Sequence, residues 1–146
     1  AGLGLLTAAR FFGGALGVFV GVAMGQVRRR GMMLLVILAL FGGCEILLSQ
    51  APNLWAALVF VTLINIMGSS TDILHQTLMQ MNVPNEQRGR AMGAWMVGVG
   101  TGPLGQMEVG YLSGVASSRI ALLVNGAALA TGALVLGVLI PRLRRL

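Results

Sequence analysis

The sequence predicts an all-α, polytopic bundle of transmembrane helices, and three observations lead to this fold class. Of the 146 residues, 56% are hydrophobic and only 10% are charged, whereas an ordinary soluble domain carries about 25% charged residues. Five apolar runs are long enough to cross a bilayer as helices, which takes about 20 residues each. The runs are separated by short polar segments in which the arginines cluster. An ordinary soluble domain is thereby excluded.

The five predicted spans cover residues 2–27, 32–48, 54–81, 89–115 and 120–140. Their hydrophobicity is continuous rather than alternating, which favours helices, because a helix satisfies its own backbone groups in lipid. The third span stops before Pro84 and the fifth before Pro141, since proline cannot continue a helix. We therefore expect one membrane domain, residues 1–146, with five spanning helices.

The net charge of +6 comes from ten arginines and four acidic residues. Because successive loops alternate sides, eight arginines fall on one face of the membrane: Arg28, Arg29, Arg30, Arg88, Arg90, Arg142, Arg144 and Arg145. Only Arg119 falls on the other face, and Arg10 lies within a span. This positive-inside bias predicts that the arginine loops and the C-terminus are cytoplasmic. No aromatic residues stand beside the arginines to stack bases, so we expect no nucleic-acid partner.

The third span carries polar residues at spacings of three and four: Thr62, Asn65, Ser69, Asp72, Gln76 and Gln80. At about 100° per residue they occupy one arc of roughly 80°. A polar stripe in lipid must face protein or a water-filled cavity. One interpretation is a solute pathway, and its expected lining residues are Asn65, Ser69, Asp72 and Gln76. The alternative is that the amides and hydroxyls hold neighbouring helices together.

Four further ionisable residues lie in the apolar runs: Arg10, Glu45, His75 and Glu108. Each needs a reason, because a charge at mid-bilayer costs about 2.5–3.5 kcal/mol. Arg10, Glu45 and Glu108 all lie towards the outer ends of their spans. They are expected either to form an outer gate or to be hydrated at the interface. Asp72 and His75 are candidates for a proton site, although a merely interfacial His75 is the simpler interpretation. We expect no metal site, because one His and one Asp on one helix supply too few ligands.

Glycine is abundant in the fourth span. Gly98 and Gly102 form a small-xxx-small face that allows close helix contact, and Pro103 removes one helical hydrogen bond. A kinked, tightly packed helix is expected, and it is compatible with static packing or with helix movement. The sequence carries no nucleophile elbow, phosphate loop or zincin helix, so neither an enzyme nor a cofactor is expected.

The loop Val83–Gly93 reads VPNEQRGRAMG, and GTGPLG follows at Gly100–Gly105. These motifs resemble the major facilitator superfamily, in its bacterial branch of drug and siderophore (enterobactin-type) exporters. The stretch Gly21–Arg30 is similar to another loop of that family, but it has Gly25 and Gln26 where the full motif has Asp and Arg. The cytoplasmic loop residues that match are Arg29, Arg30, Pro84, Arg88, Gly89 and Arg90.

The resemblance implies that the chain is a partial major facilitator fold, helices eight to twelve of a twelve-helix transporter. The partners it implies are the lipid bilayer, a small-molecule substrate and an N-terminal half missing from this chain. It further implies a bacterial inner-membrane protein that exports a small amphiphilic solute by alternating access, with proton coupling. Gly98, Gly102 and Pro103 fit the family's antiporter motif, although Gln106 and Met107 replace its final glycine pair. The alternative is a non-transporting membrane scaffold of five helices.

Overall fold

The computed structural model describes residues 2–24 and 29–140. Its described part is all-helical, as the sequence predicts. The helices are α1 (Gly2–Met24), α2 (Arg30–Ser49), α3 (Leu54–Asn82), α4 (Arg88–Gly100), α5 (Gly102–Val115) and α6 (Ser118–Leu139), with a 3-10 turn at Asn85–Gln87 before α4. Of the residues predicted to matter, Arg28, Arg142, Arg144 and Arg145 lie outside the described part.

Two helices begin at polar residues that accept a hydrogen bond from the first turn. The Asn53 side chain accepts from the Ala56 backbone N–H (2.9 Å), and the Ser117 hydroxyl accepts from that of Ile120 (3.3 Å). Each cap satisfies one of the four backbone N–H groups that a helix start leaves unpaired. The polar segments that interrupt the apolar runs therefore also fix where α3 and α6 begin.

Within residues 2–24 and 29–140, four helices are long and apolar enough to cross a membrane: α1, α2, α3 and α6. The run at 89–115 differs from the continuous span that we expected, because it is divided at Thr101 into α4 and α5, of 13 and 14 residues. Each is shorter than the roughly 20 residues that a single span needs. Pro103 stands in the first turn of α5, where a missing N–H costs nothing. The interruption is confined to Thr101, which keeps helical dihedral angles and whose N–H donates to the Val97 carbonyl oxygen at 3.1 Å, so a kink lies where we expected one.

The helices pack in a defined order, with α1 on α3, α2 between α3 and α6, and α5 against α6. Helix α1 runs parallel to α3, because Gly13 lies at Thr62 and Gly21 lies at Ser70. Helix α2 runs antiparallel to α3, because Phe41 contacts Gly68 while Arg30 donates to the Met81 sulfur. These directions agree with a chain whose successive spans cross the bilayer in opposite directions.

Helix α2 also runs antiparallel to α6. Gly42 lies against Gly126, and Leu35 approaches Gly137 near the other end of the pair. The buried core is small and lies between α2 and α3, where Leu34, Ile37 and Leu74 pack together. Most remaining large apolar side chains point outward, as expected of helices surrounded by lipid. Contact between backbones therefore carries much of the packing.

Candidate solute pathway

The closest helix contact is between α1 and α3. A methyl group at Gly13 would overlap the Thr62 carbonyl oxygen, and one at Gly17 would lie 2.5 Å from that of Ile66. The Ser70 hydroxyl donates to the Gly17 carbonyl oxygen across the contact, at 3.0 Å. Glycines spaced by four residues along α1 thus let the two backbones touch, as small residues do between membrane helices.

This contact divides the polar stripe of α3. Gly13 lies against the Asn65 Cβ, and Gly17 against the Ser69 Cβ. The Asn65 amide and the Thr62 hydroxyl donate to carbonyl oxygens one turn back in α3, at 2.8 Å each. The first half of the stripe therefore packs against α1, and the single cavity-facing stripe that we expected is not observed.

Asp72, further along the same helix, faces a cleft of about 370 Å³ between α2, α3 and α6. Four polar residues line it: Glu45, Thr71, Asp72 and Asn125. Its remaining lining is Leu38, Phe41, Gly68 and Leu129. No basic side chain is among them, so the cleft combines an apolar surface with two carboxyl groups.

Thr71 is the most buried polar side chain of the cleft. Only 8% of the residue is exposed, and its hydroxyl is the only buried side-chain polar atom without a hydrogen-bond partner in the described residues. A buried hydroxyl without a partner costs about 1–3 kcal/mol.

A second cleft of about 370 Å³ lies between α5 and α6. Gly102, Gly105, Gln106 and Val109 line it from α5, and Asn125 from α6. Because Asn125 lines both clefts, they adjoin on either side of one amide side chain. The two clefts therefore adjoin at Asn125, with Asp72 in one and Gln106 in the other.

Sequence reasoning missed Thr71 and Asn125. Asn125 is the only amide in α6, and an amide within an otherwise apolar span was the signal that could have identified it. Thr71 carried no such signal, because threonine is common in membrane helices and its lack of a partner emerges only from packing. His75 and Gln76 are half-buried and do not line the cleft that Asp72 faces.

The expected outer ion pairs are not formed. In the described residues, Arg10 makes no ion pair with Glu45 or Glu108. Arg10 and Glu108 are exposed on α1 and α5, whereas Glu45 is half-buried and lines the cleft. The physical reason is that α1 packs mainly on α3, whereas Glu45 lies on α2, which packs on α3 and α6, and Glu108 lies on α5, which packs on α6. An outer gate made by these three residues is therefore absent from this conformation. The described residues also contain no cluster of three or more His, Cys, Asp or Glu side chains suited to a metal ion.

The described arginine loops share one end of the bundle. Arg30 at the start of α2 donates to the sulfur of Met81 near the end of α3. Beyond α3, Pro84 precedes the 3-10 turn, and α4 begins at Arg88, with Gly89 and Arg90 in its first turn. Arg88 lines a small cleft of about 240 Å³ between α3 and α4. The loop motif thus connects two helices at the end of the bundle where Arg29 also lies.

Arg119 lies at the opposite end and has a structural role. Its Nε donates to the Ser49 carbonyl oxygen, at 2.8 Å. Ser49 is the last residue of α2, where the helix leaves carbonyl groups unpaired and a cation is favourable. The only arginine outside the clustered loops and spans therefore joins the end of α2 to the start of α6.

The glycines of α4 and α5 do not make the contacts that we expected. A methyl group at Gly98 or Gly102 would meet no atom within 4 Å in the described part of the chain. The tight packing predicted from their spacing is seen instead at Gly13, Gly17 and Gly42. Four-residue glycine spacing identified a surface capable of close contact, but not whether a neighbour occupies it.

The family model of the Major Facilitator Superfamily matches residues 1–146, the whole chain. Comparison with curated proteins and with solved structures gives no match. The family match agrees with the all-helical bundle and its apolar spans, and it gives the chain a secondary-transporter role in a membrane. A non-transporting scaffold is not favoured. On the match over its full length, this chain belongs to the Major Facilitator Superfamily.

Proposed function

We propose that the chain is part of the C-terminal half, helices eight to twelve, of a bacterial inner-membrane transporter that exports a small amphiphilic solute by alternating access. An N-terminal half would complete the solute cavity. The arginine loops would lie in the cytoplasm and hold the cytoplasmic side closed in one state.

The observation that carries the proposal is the cleft between α2, α3 and α6. Its lining combines apolar side chains with the acidic residues Glu45 and Asp72 and the polar residues Thr71 and Asn125. An apolar surface with a few convergent polar groups is typical of small-molecule sites. An ionisable residue inside a membrane segment is usually functional, because its insertion is costly.

The stripe residues take different parts in this proposal. Asp72 contacts the solute in the cleft, and Gln76, which does not line the cleft, would meet the solute one turn further towards the arginine-bearing end. Asn65 and Ser69 hold α3 against α1 and so keep Asp72 in position. Proton coupling, implied by the resemblance, would use a carboxyl group of the cleft, Asp72 or Glu45.

The test is transport by the purified full-length transporter, with its N-terminal half, in proteoliposomes loaded with a fluorescent amphiphile. Asp72→Asn should reduce the transport rate about tenfold or more, because a lost hydrogen bond to a charged group is worth about 1.5–3 kcal/mol. Glu86→Gln is the matched control, since Glu86 is an exposed acid in the 3-10 turn outside the cleft. Unchanged transport by Asp72→Asn at normal expression would remove Asp72 from the mechanism.

A further inference from the structure

The two carboxyl groups of the cleft lie at opposite ends of it. The ring of Phe41 contacts Gly68 where α2 and α3 cross. Glu45 is one turn further along α2, and Asp72 is one turn further along α3. Because the helices are antiparallel and rise about 1.5 Å per residue, the two α-carbons are separated by about 12 Å along the bundle.

The side chains shorten this separation. A helical side chain tilts towards the N-terminus of its own helix. In an antiparallel pair, Glu45 and Asp72 therefore tilt towards each other, which leaves roughly 8–10 Å between the carboxyl groups. A single metal ion cannot bridge them, because oxygen ligands of common hard cations lie within about 2.6 Å.

Each carboxyl group has a second hydrogen-bond acceptor beside it. Thr71, adjacent to Asp72 in sequence, also lines the cleft, and its buried hydroxyl has no hydrogen-bond partner in the described residues. Glu45 lies against Gly126 of α6, and Asn125, the residue before Gly126, also lines the cleft. An ammonium group carries three N–H donors, so it matches a carboxylate and a neutral oxygen at either end.

The space between the two ends is apolar. Leu38, Phe41 and Leu129 line it from α2 and α6. Apolar side chains there favour a hydrocarbon linker, whose burial is worth about 0.8 kcal/mol per methylene.

We infer that this cleft binds a linear dication, two protonated amines joined by an apolar chain, with one amine at Asp72 and Thr71 and the other at Glu45 and Asn125. This inference rests on the proposed transport function and names its substrate class. Two positive charges offset the cost of two carboxylates within the membrane.

The experiment measures binding to the purified full protein by titration calorimetry, with three probes of equal length: hexamethylenediamine, hexylamine and hexanediol. The diamine should bind about tenfold more tightly than the monoamine, because it adds a second charged hydrogen-bonded pair. The diol should bind more weakly than either amine. Equal affinities for diamine and monoamine would overturn the inference.

Variants then locate the two ends. Glu45→Gln and Asp72→Asn should each lower the affinity for the diamine to that of the monoamine, while Glu86→Gln leaves it unchanged. Loss of one carboxylate can also disturb folding, so a charge-preserving change supplies an independent readout. Glu45→Asp shortens one side chain by a methylene and should shift the preferred diamine to a chain about one carbon longer. An unchanged length preference contradicts the end-to-end geometry.

Transport of the same probes separates this inference from the proposed function. A protein that transports an amphiphile but does not discriminate diamine from monoamine is a transporter for another solute class, and the dication site is refuted. A protein that binds the diamine as described but moves no solute across the vesicle membrane retains the site and refutes transport.

Discussion

Replacing Gly17 by alanine should separate α1 from α3. The new methyl group would lie 2.5 Å from the Ile66 carbonyl oxygen and 2.8 Å from the Ser69 Cβ, and ordinary contact begins at 3.4 Å. Both neighbours belong to α3, and one is backbone, so the helix itself has to move. The required displacement is about 1 Å at this level of the pair.

The cost follows from what that displacement breaks. The hydrogen bond from the Ser70 hydroxyl to the Gly17 carbonyl oxygen, now 3.0 Å, would stretch beyond the limit of about 3.5 Å. Interhelical hydrogen bonds in membranes contribute about 0.6 kcal/mol on average. A gap of 0.5–1 Å also forfeits about a quarter to a half of each dispersion contact along the seam. Together with typical overpacking costs, Gly17→Ala should lower the free energy of unfolding by about 2–3 kcal/mol.

Gly14→Ala is the control on the same helix. Its methyl group would meet only the Ser69 Oγ, at 3.6 Å, which is ordinary contact. Both variants replace glycine by alanine within α1, so the change in helix propensity cancels between them. The measurement is the free energy of unfolding of the purified protein in mixed micelles, titrated with SDS. Values for the two variants that agree within about 0.5 kcal/mol would refute the close α1–α3 contact.

Three further substitutions test other contacts by the same SDS titration. Gly42→Ala should destabilise the α2–α6 pair by about 2 kcal/mol, because its methyl group would overlap the backbone of α6. Gly43→Ala is the control, since its methyl group meets nothing within 4 Å and should not destabilise this pair. Equal losses of stability in the two variants would contradict the α2–α6 pairing. Arg119→Gln should lower the free energy of unfolding by about 1 kcal/mol, because the guanidinium caps the carbonyl of Ser49. Arg119→Lys should recover part of this loss. Unchanged stability in Arg119→Gln would show that the cap does not stabilise the fold. Thr71→Val should stabilise the solute-free protein by about 1 kcal/mol by removing an unpaired buried hydroxyl, while weakening the binding of hexamethylenediamine. Unchanged binding with lost stability would show that the hydroxyl pairs within the protein.

Much of the fold follows from apolar length alone. Runs of bilayer length predicted the helices, and Asn53 and Ser117 begin α3 and α6 because their side chains cap them. The sequence predicted a kink near Pro103, and the helix is interrupted at Thr101. A proline interrupts one hydrogen bond, and three glycines within Gly98–Gly102 weaken the same turn further.

The site was harder to predict, because helical periodicity defines a face but not the neighbour that covers it. The stripe from Thr62 to Gln80 shares one face of α3, yet α1 covers its first half at Asn65 and Ser69, while Asp72 faces the cleft. The deciding feature was the run of glycines at Gly13, Gly17 and Gly21, spaced by four residues on another helix. Pairing depends on residues from both helices, so a pattern on one helix could not supply it.

The same glycines indicate where the bundle can move. In the α1–α3 and α2–α6 pairs the backbones touch, and a small displacement costs several contacts at once because packed interfaces do not deform continuously. Helices α4 and α5 make no such backbone contact at Gly98 and Gly102 within the described residues, and the helix is interrupted at Thr101. In the proposed transporter, the two tight pairs would move together during alternating access, because the core of Leu34, Ile37 and Leu74 joins them between α2 and α3. Asp72 and Glu45, carried by α3 and α2, would then change their exposure with those units, while α5, which lines the adjoining cleft at Gln106, changes its distance from Asn125.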